Sequence, residues 1–154
     1  RPSMTKDPIT YREGIARFLH VADLIKCSDE DLEYLHPEWT DRAVETFVET
    51  YSPQLFVFTR GAEGLRAFTK SGVSAQVSAS LPGPLSDTVG AGDSVHGALL
   101  SEFDRLGIVG QQLSELYESQ LSKILLLDSR VAGLNCTRAG CQPPTREEVA
   151  EIFG

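Results

Sequence analysis

The chain has 154 residues, 41% of them apolar, with a formal net charge of −8 and a pI near 4.8. That length suits one domain with a single sizeable core. The acidic balance, without a Lys/Arg cluster, speaks against nucleic-acid or anionic-membrane partners, and no apolar run is long enough to span a bilayer.

In chain order, the spacing of Ile15, Phe18 and Leu19 predicts a helix near Tyr11 to His20 with those three side chains inward. A strand is expected near Ala22 to Lys26, then a short helix around Asp29 to Leu35 that Ser28 and Asp31 open as a capping box and Pro37 ends. Val44, Phe47, Val48 and Tyr51 share one face of a helix near Asp41 to Tyr51, which feeds an apolar strand, Leu55 to Thr59. Two alternating runs, Leu65 to Thr69 and Val73 to Val77, flank Lys70-Ser71-Gly72 and read as an edge hairpin. Pro82-Gly83-Pro84 breaks the chain before a Gly-rich segment. The helix that follows places Val95, Ala98, Leu99, Phe103 and Leu106 near one face and stops at Gly107. Leu113, Leu116, Tyr117, Gln120, Leu121, Ile124 and Leu125 form one long stripe, and Thr145 with Glu148 caps the last helix. Helices alternating with strands predict βαβ units and a mostly parallel sheet.

The Gly-rich segment, Asp87-Thr88-Val89-Gly90-Ala91-Gly92-Asp93, carries the chemistry. Little side-chain bulk covers the N–H groups of Gly90, Ala91, Gly92 and Asp93, so they can approach an anion at what reads as a helix N-terminus. A Walker A loop is ruled out because no Lys follows Gly92, and a dinucleotide fingerprint because its third glycine position is Val95. By itself the segment also suits a strand-to-helix turn with Asp93 as a solvated first-turn acid.

The run Asp87 to Ser94, DTVGAGDS, resembles the signature of the ribokinase-like (PfkB) carbohydrate kinases. That resemblance implies a three-layer α/β/α, Rossmann-like fold and ATP-dependent phosphorylation of a sugar's primary hydroxyl. Asp93 would be the base that takes the hydroxyl proton, and Gly90, Ala91 and Gly92 the anion hole. Such chemistry depends on positioning and charge stabilisation. Thr59, Gly61 and Gly64 resemble the family's nucleotide loop, although a tight turn before the next strand explains both glycines as well. Ser28 and Asp31 stand where the family has an N-x-x-E motif around Mg2+-bound phosphates, so Asp31 is expected to act on Mg2+ through water, with Ser28 and Lys26 near phosphate.

By the same resemblance, Asp87, Val89, Asn135, Arg138 and Gly140 surround a monovalent cation, K+ in the first instance, and Ser129 lies near adenine. Arg1-Pro2 is similar to the end of a D-x-N-x-R-P segment whose Arg faces the phosphates. Family members are longer chains, so residues 1–154 are expected to be the C-terminal nucleotide-binding and catalytic part, without the lid and most sugar contacts. Within the family the pattern looks most like fructokinase, then 2-keto-3-deoxygluconate kinase, then ribokinase. A reading of another class stays open: an inactive nucleotide-binding fragment or an assembly partner.

Cys27, Cys136 and Cys141 contain no CxxC pair and read as reduced thiols of a cytoplasmic protein. His20, His36 and His96 read as structural or exposed, with a substrate contact open only to His96. The expected partners are the sugar and ATP, and any self-association a homodimer.

Overall fold

The structure, a computed structural model, describes residues 7–39 and 42–153. Arg1 and the start of the helix expected from Asp41 lie outside the described residues. The elements run α1 (Pro8–Leu19), β1 (Leu24–Ser28), α2 (Asp29–Leu35), α3 (Ala43–Tyr51), β2 (Leu55–Thr59), β3 (Leu65–Thr69), β4 (Ser74–Val77), α4 (Ala91–Leu106), α5 (Glu118–Cys136) and α6 (Arg146–Phe153). The four strands lie side by side in chain order.

One strand pair, β1 with β2, is parallel, whereas β2 with β3 and β3 with β4 are antiparallel. The sheet is therefore mixed rather than mostly parallel. The physical reason is loop length: residues 60–64 between β2 and β3 hold only a 3₁₀ turn, Gly61–Glu63, far too short for a crossover helix.

β2 sits between two cores. Leu55 and Val57 face a cluster with Val95, Leu99 and Phe103 of α4 and Leu121, Ile124 and Leu125 of α5. On the other face, Phe56 and Phe58 join Ile25, Cys27, Leu32, Phe47 and Tyr51. Because both faces are covered, Leu55-Phe56-Val57-Phe58 reads as an unbroken apolar run and forms the middle of an α/β/α sandwich. In β1, Ile25 and Cys27 take the aromatic side, and the strand pleat sends Leu24 and Lys26 to the α4 side.

Three expectations about packing are corrected. Phe18 is 72% exposed, because α1 turns Ala16 and Leu19 to the aromatic cluster and Phe18 lies almost opposite Ala16 at 3.6 residues per turn. Leu106 is exposed in the last turn of α4. Tyr117 leaves the long stripe: Leu116 is extended, separating a 3₁₀ segment, Gly110–Glu115, from α5, and Tyr117 becomes the exposed residue before α5.

α6 is held by ion pairs, Arg146 to Glu102 of α4 at 3.0 Å and Arg138 to Glu148 at 2.7 Å. Beside the first of these, Asp128 of α5 is fully buried with neither carboxyl oxygen partnered among the described residues. Burial, with a smaller contribution from the Glu102 charge, pushes its carboxyl up to about 8. The folded value lies above the ordinary carboxylate value of 3.8, so the stabilising contribution of the neutral acid is full below that value and is lost progressively as pH rises from there to about 8. Thermal unfolding is expected to show Tm falling over that rise, and Asp128→Asn to remove most of the slope; an unchanged slope contradicts this account.

Candidate active site

The signature segment is shaped by two glycines, the first of which could be nothing else. Gly90, before α4, has φ +76, and an added Cβ would collide with Sγ of Cys141. Gly92, in the first turn, has Nζ of Lys26 3.0 Å from where its Cβ would stand. Lys26 arrives from β1, whose pleat aims it at this helix end. No side chain caps α4; the Ala91 amide, expected in the anion hole, donates instead to the Thr88 carbonyl at 3.2 Å, which leaves the first-turn amides of Gly92 and Asp93 for solvent or a ligand. Free N–H groups, the positive end of a helix of sixteen residues and an ammonium group are together chemically suited to an anion. Asp93, exposed in the same turn, puts a carboxylate at its edge.

A clamp behind the loop holds this geometry. Oδ1 of Asp87 accepts from the Val89 amide at 2.9 Å, and Oδ2 from the Gly140 amide at 3.0 Å. The fully buried Asn135 donates through Nδ2 to the Val89 carbonyl at 2.9 Å and accepts at Oδ1 from the Gln142 amide at 2.8 Å. The Cys136 carbonyl accepts from Ser86 and Asp87. Amide donors, Val89 first and Gly140 next, hold the Asp87 carboxyl below the usual carboxylate range.

The structure thus gathers Asp87, Val89, Asn135 and Gly140 of the expected cation set. The main chain of Arg138 lies beside them, its amide donating to the Asn135 carbonyl at 3.0 Å, while its guanidinium reaches the Gln142 carbonyl at 3.1 Å and Glu148 of α6. A hard divalent cage is not what the residues offer: among the described residues no group of three or more His, Cys, Asp or Glu converges. Carbonyl oxygens with a single carboxylate suit a weakly hydrated monovalent ion better.

Ser28 and Asp31 form the reciprocal cap of α2, Oγ of Ser28 accepting from the Asp31 amide and Oδ2 of Asp31 from the Ser28 amide, both at 3.0 Å. Ser28 and Thr59 are register partners at the carboxyl ends of the parallel strands, the rim where open α/β sheets bind ligands. Beyond Thr59, Gly61 and Gly64 both have positive φ, and a Cβ on Gly64 would collide with the Val77 carbonyl. The turn therefore has a structural reason of its own; Arg60 and Glu63 pair across it. Ser129 is committed to the chain: its hydroxyl donates to the Ser78 carbonyl and accepts from the Ser80 amide, both at 2.9 Å, fastening the segment after β4 to α5. His96 is exposed.

Sequence reasoning missed the contact of Cys141 with Gly90 and the buried acid Asp128. A thiol following Gly140 has no pattern that announces its neighbour. Asp128, by contrast, interrupts the apolar stripe of α5 and could have been read as an anomaly.

The pfkB family carbohydrate kinase profile matches residues 2–148. The chain belongs to this family. A fructokinase of Rhizobium leguminosarum bv. trifolii is 31% identical over 79% of this chain and 37% of its own length. A putative fructokinase-8 of Arabidopsis thaliana is also 31% identical, over 93% of this chain and 65% of its own. Among solved structures, a fructokinase double mutant of Vibrio cholerae O395 in a fructose-, ADP- and potassium-bound form superposes on all of the chain with a TM-score of 0.80 at 21% identity, with 48% of its own length covered. A ribokinase of Giardia lamblia gives 0.74 at 24% identity over 90% of this chain and 45% of its own. These confirm the ribokinase-like fold. The chain spans less than two thirds of the length of each of these relatives. Among the described residues no helix is long and apolar enough to cross a membrane.

Removing the centre of the clamp tests its weight. Asn135→Leu leaves the Val89 carbonyl and Gln142 amide without their partner, and a loss of about 1–3 kcal/mol is expected in denaturant unfolding; a neutral result would make the clamp incidental to stability.

Proposed function

We propose that residues 1–154 are the C-terminal, nucleotide-binding and catalytic part of an enzyme that transfers the γ-phosphoryl group of ATP to a sugar's primary hydroxyl, with fructose as the preferred acceptor. The observation that carries this reading is the placement of the Lys26 ammonium over the bare backbone of Gly92, one residue from Asp93. An anion-binding surface and a carboxylate then share one turn of helix, as in-line transfer to an alcohol requires. The family and the names of the curated relatives support the acceptor class; fructose itself rests on those names and on the sequence pattern.

On this reading Asp93 accepts the hydroxyl proton as the sugar oxygen attacks phosphorus. The free amides of Gly92 and Asp93, with the backbone of Gly90 and Ala91 and with Lys26, receive the charge that spreads over the transferred group. Their positions are set before any ligand arrives, so little reorganisation is needed at the moment of transfer. Thr59, Gly61 and Gly64 border the nucleotide along the sheet rim, with Ser28 beside them. Asp31, through water, is the residue assigned to Mg2+, which supplies charge neutralisation on the phosphates. Asp87 and the main chain at Val89, Asn135, Arg138 and Gly140 are assigned to a monovalent cation, K+ by preference. Its chemistry would be to stiffen the loop that carries the anion hole. The cytoplasm is the compartment proposed.

A second reading is favoured by one specific observation, the share of relatives' length that the chain spans. In it, these residues bind nucleotide without turning over sugar on their own. Ribokinase or 2-keto-3-deoxygluconate kinase activity is the alternative within the class, and ribokinases stand among the structural neighbours.

Sugar-dependent ADP release across ketoses and aldoses decides among these. In the full-length protein, Asp93→Asn is expected to lower turnover by about 10²–10⁴ while MgATP still binds. Retained turnover would falsify the base assignment. Lys26→Met is expected to weaken MgATP affinity about tenfold in titration calorimetry, with partial recovery in Lys26→Arg; unchanged affinity removes Lys26 from the anion site.

A further inference from the structure

The oxygens assigned to a monovalent cation already carry hydrogen-bond donors of the chain's own. Oδ1 and Oδ2 of Asp87 each accept a backbone amide, from Val89 and from Gly140. The Val89 carbonyl accepts from Nδ2 of Asn135 at 2.9 Å, and the Asn135 carbonyl from the Arg138 amide at 3.0 Å. Oδ1 of Asn135 accepts from the Gln142 amide at 2.8 Å. Which end of the Asn135 amide points where is settled by its partners, since a carbonyl can only accept and a backbone N–H can only donate. Arg138 adds a full positive charge to the same loop, its guanidinium 3.1 Å from the Gln142 carbonyl.

A cation held among loop carbonyls would do two things. It would offset the repulsion between converging oxygens, and it would tie together the segments that carry them. Here N–H groups supply both effects, because each donor puts a partly positive hydrogen on an oxygen that would otherwise stand bare. Asn135 is the side chain that does so for the main chain. Fully buried, it joins Val89, the residue before Gly90, to Gln142, the residue after the cysteine whose sulfur rests on Gly90. The oxygens keep spare lone pairs, so an ion can still approach them. The stiffness it would bring is already present.

We propose that Asn135 is a positioning residue that does the cation's work in this chain, aligning the anion-binding turn so that nucleotide binding is insensitive to which monovalent cation is in solution. The link from alignment to nucleotide rests on the phosphate-site reading above. An alanine at 135 would uncover the Val89 carbonyl and the Gln142 amide together and leave room where the amide stood. The loop would then depend on an ion of suitable size for what the side chain had given.

The test compares the full-length protein in KCl and in tetramethylammonium chloride at equal ionic strength, the second cation being too large for a cradle of carbonyls. Tm is read by circular dichroism and MgATP affinity by titration calorimetry. The unaltered protein is expected to keep its Tm within about 2 °C and its affinity within about twofold between the two salts. Asn135→Ala is expected to lose affinity about tenfold in tetramethylammonium chloride and to regain most of it in KCl, with Tm rising in parallel. Asn135→Asp, which keeps the shape and replaces the donor by an oxygen, is expected to show the same recovery and serves if the alanine variant does not fold. Unaltered protein that loses Tm or affinity without K+ overturns the proposal. So do variants that are equally weak in both salts, since Asn135 is then structural only. Protein that shows the expected salt pattern in Tm but binds no MgATP in either salt overturns the phosphate-site reading instead.

Discussion

The site depends on a backbone contortion kept in place by a carboxylate and an amide. Gly90 sits in the left-handed region, which glycine enters without strain, so what holds it in that one conformation is its surroundings. Here the surroundings are Asp87, which ties the Val89 amide to Gly140, and Asn135, which ties the Val89 carbonyl to Gln142. Both groups bridge chain segments about fifty residues apart, so the N-terminus of α4 is fixed relative to the C-terminus of α5 before any ligand is present. Remove the bridge and the amides of α4 remain a helix terminus, but no longer one aimed at a particular point.

The same tie spreads outward. α5 fastens the segment after β4 through Ser129, and a Cβ on Gly133 would collide with the Ser80 carbonyl there, so helix and loop meet at backbone contact. At its far end Arg138 reaches Glu148 of α6, and Arg146 of α6 reaches back to Glu102 of α4. Against this consistent network Asp128 is the dissonant member, a buried acid beside an ionised Glu102 with nothing to bond. A cost of that kind inside the layer that carries the anion site marks where stability has been given up in this chain.

Much of this was legible from residues alone. The bounds of α2, β2 and β3 coincide with their sequence signals because each ends at chemistry that acts locally: a reciprocal cap at Ser28 and Asp31, a fully apolar run, a turn with Gly61 and Gly64. The capping pair Thr145 and Glu148 is present as the pattern implied. What local signals could not reach were matters of partnership. Phe18 belongs by spacing to an apolar stripe, yet which flank of that stripe meets the sheet is decided by Phe47 and Tyr51, far along the chain. Ser129 looks like a free hydroxyl until Ser78 and Ser80 arrive, and Arg138, expected in the cation loop, also carries an ion pair to Glu148 that its own segment does not announce. The motif pointed to the family; the neighbours decided which side chains carry bonds of their own.

The placement of β1 gives the sheet an unpaired border among the described residues. Among the described residues this strand is bonded on one side only, so its outer N–H and C=O groups form a ready template for a further strand. Phe18 and Val21, bare on the chain leading into it, add greasy surface at the same rim. An edge of this kind can take a further strand backbone to backbone without either core opening first.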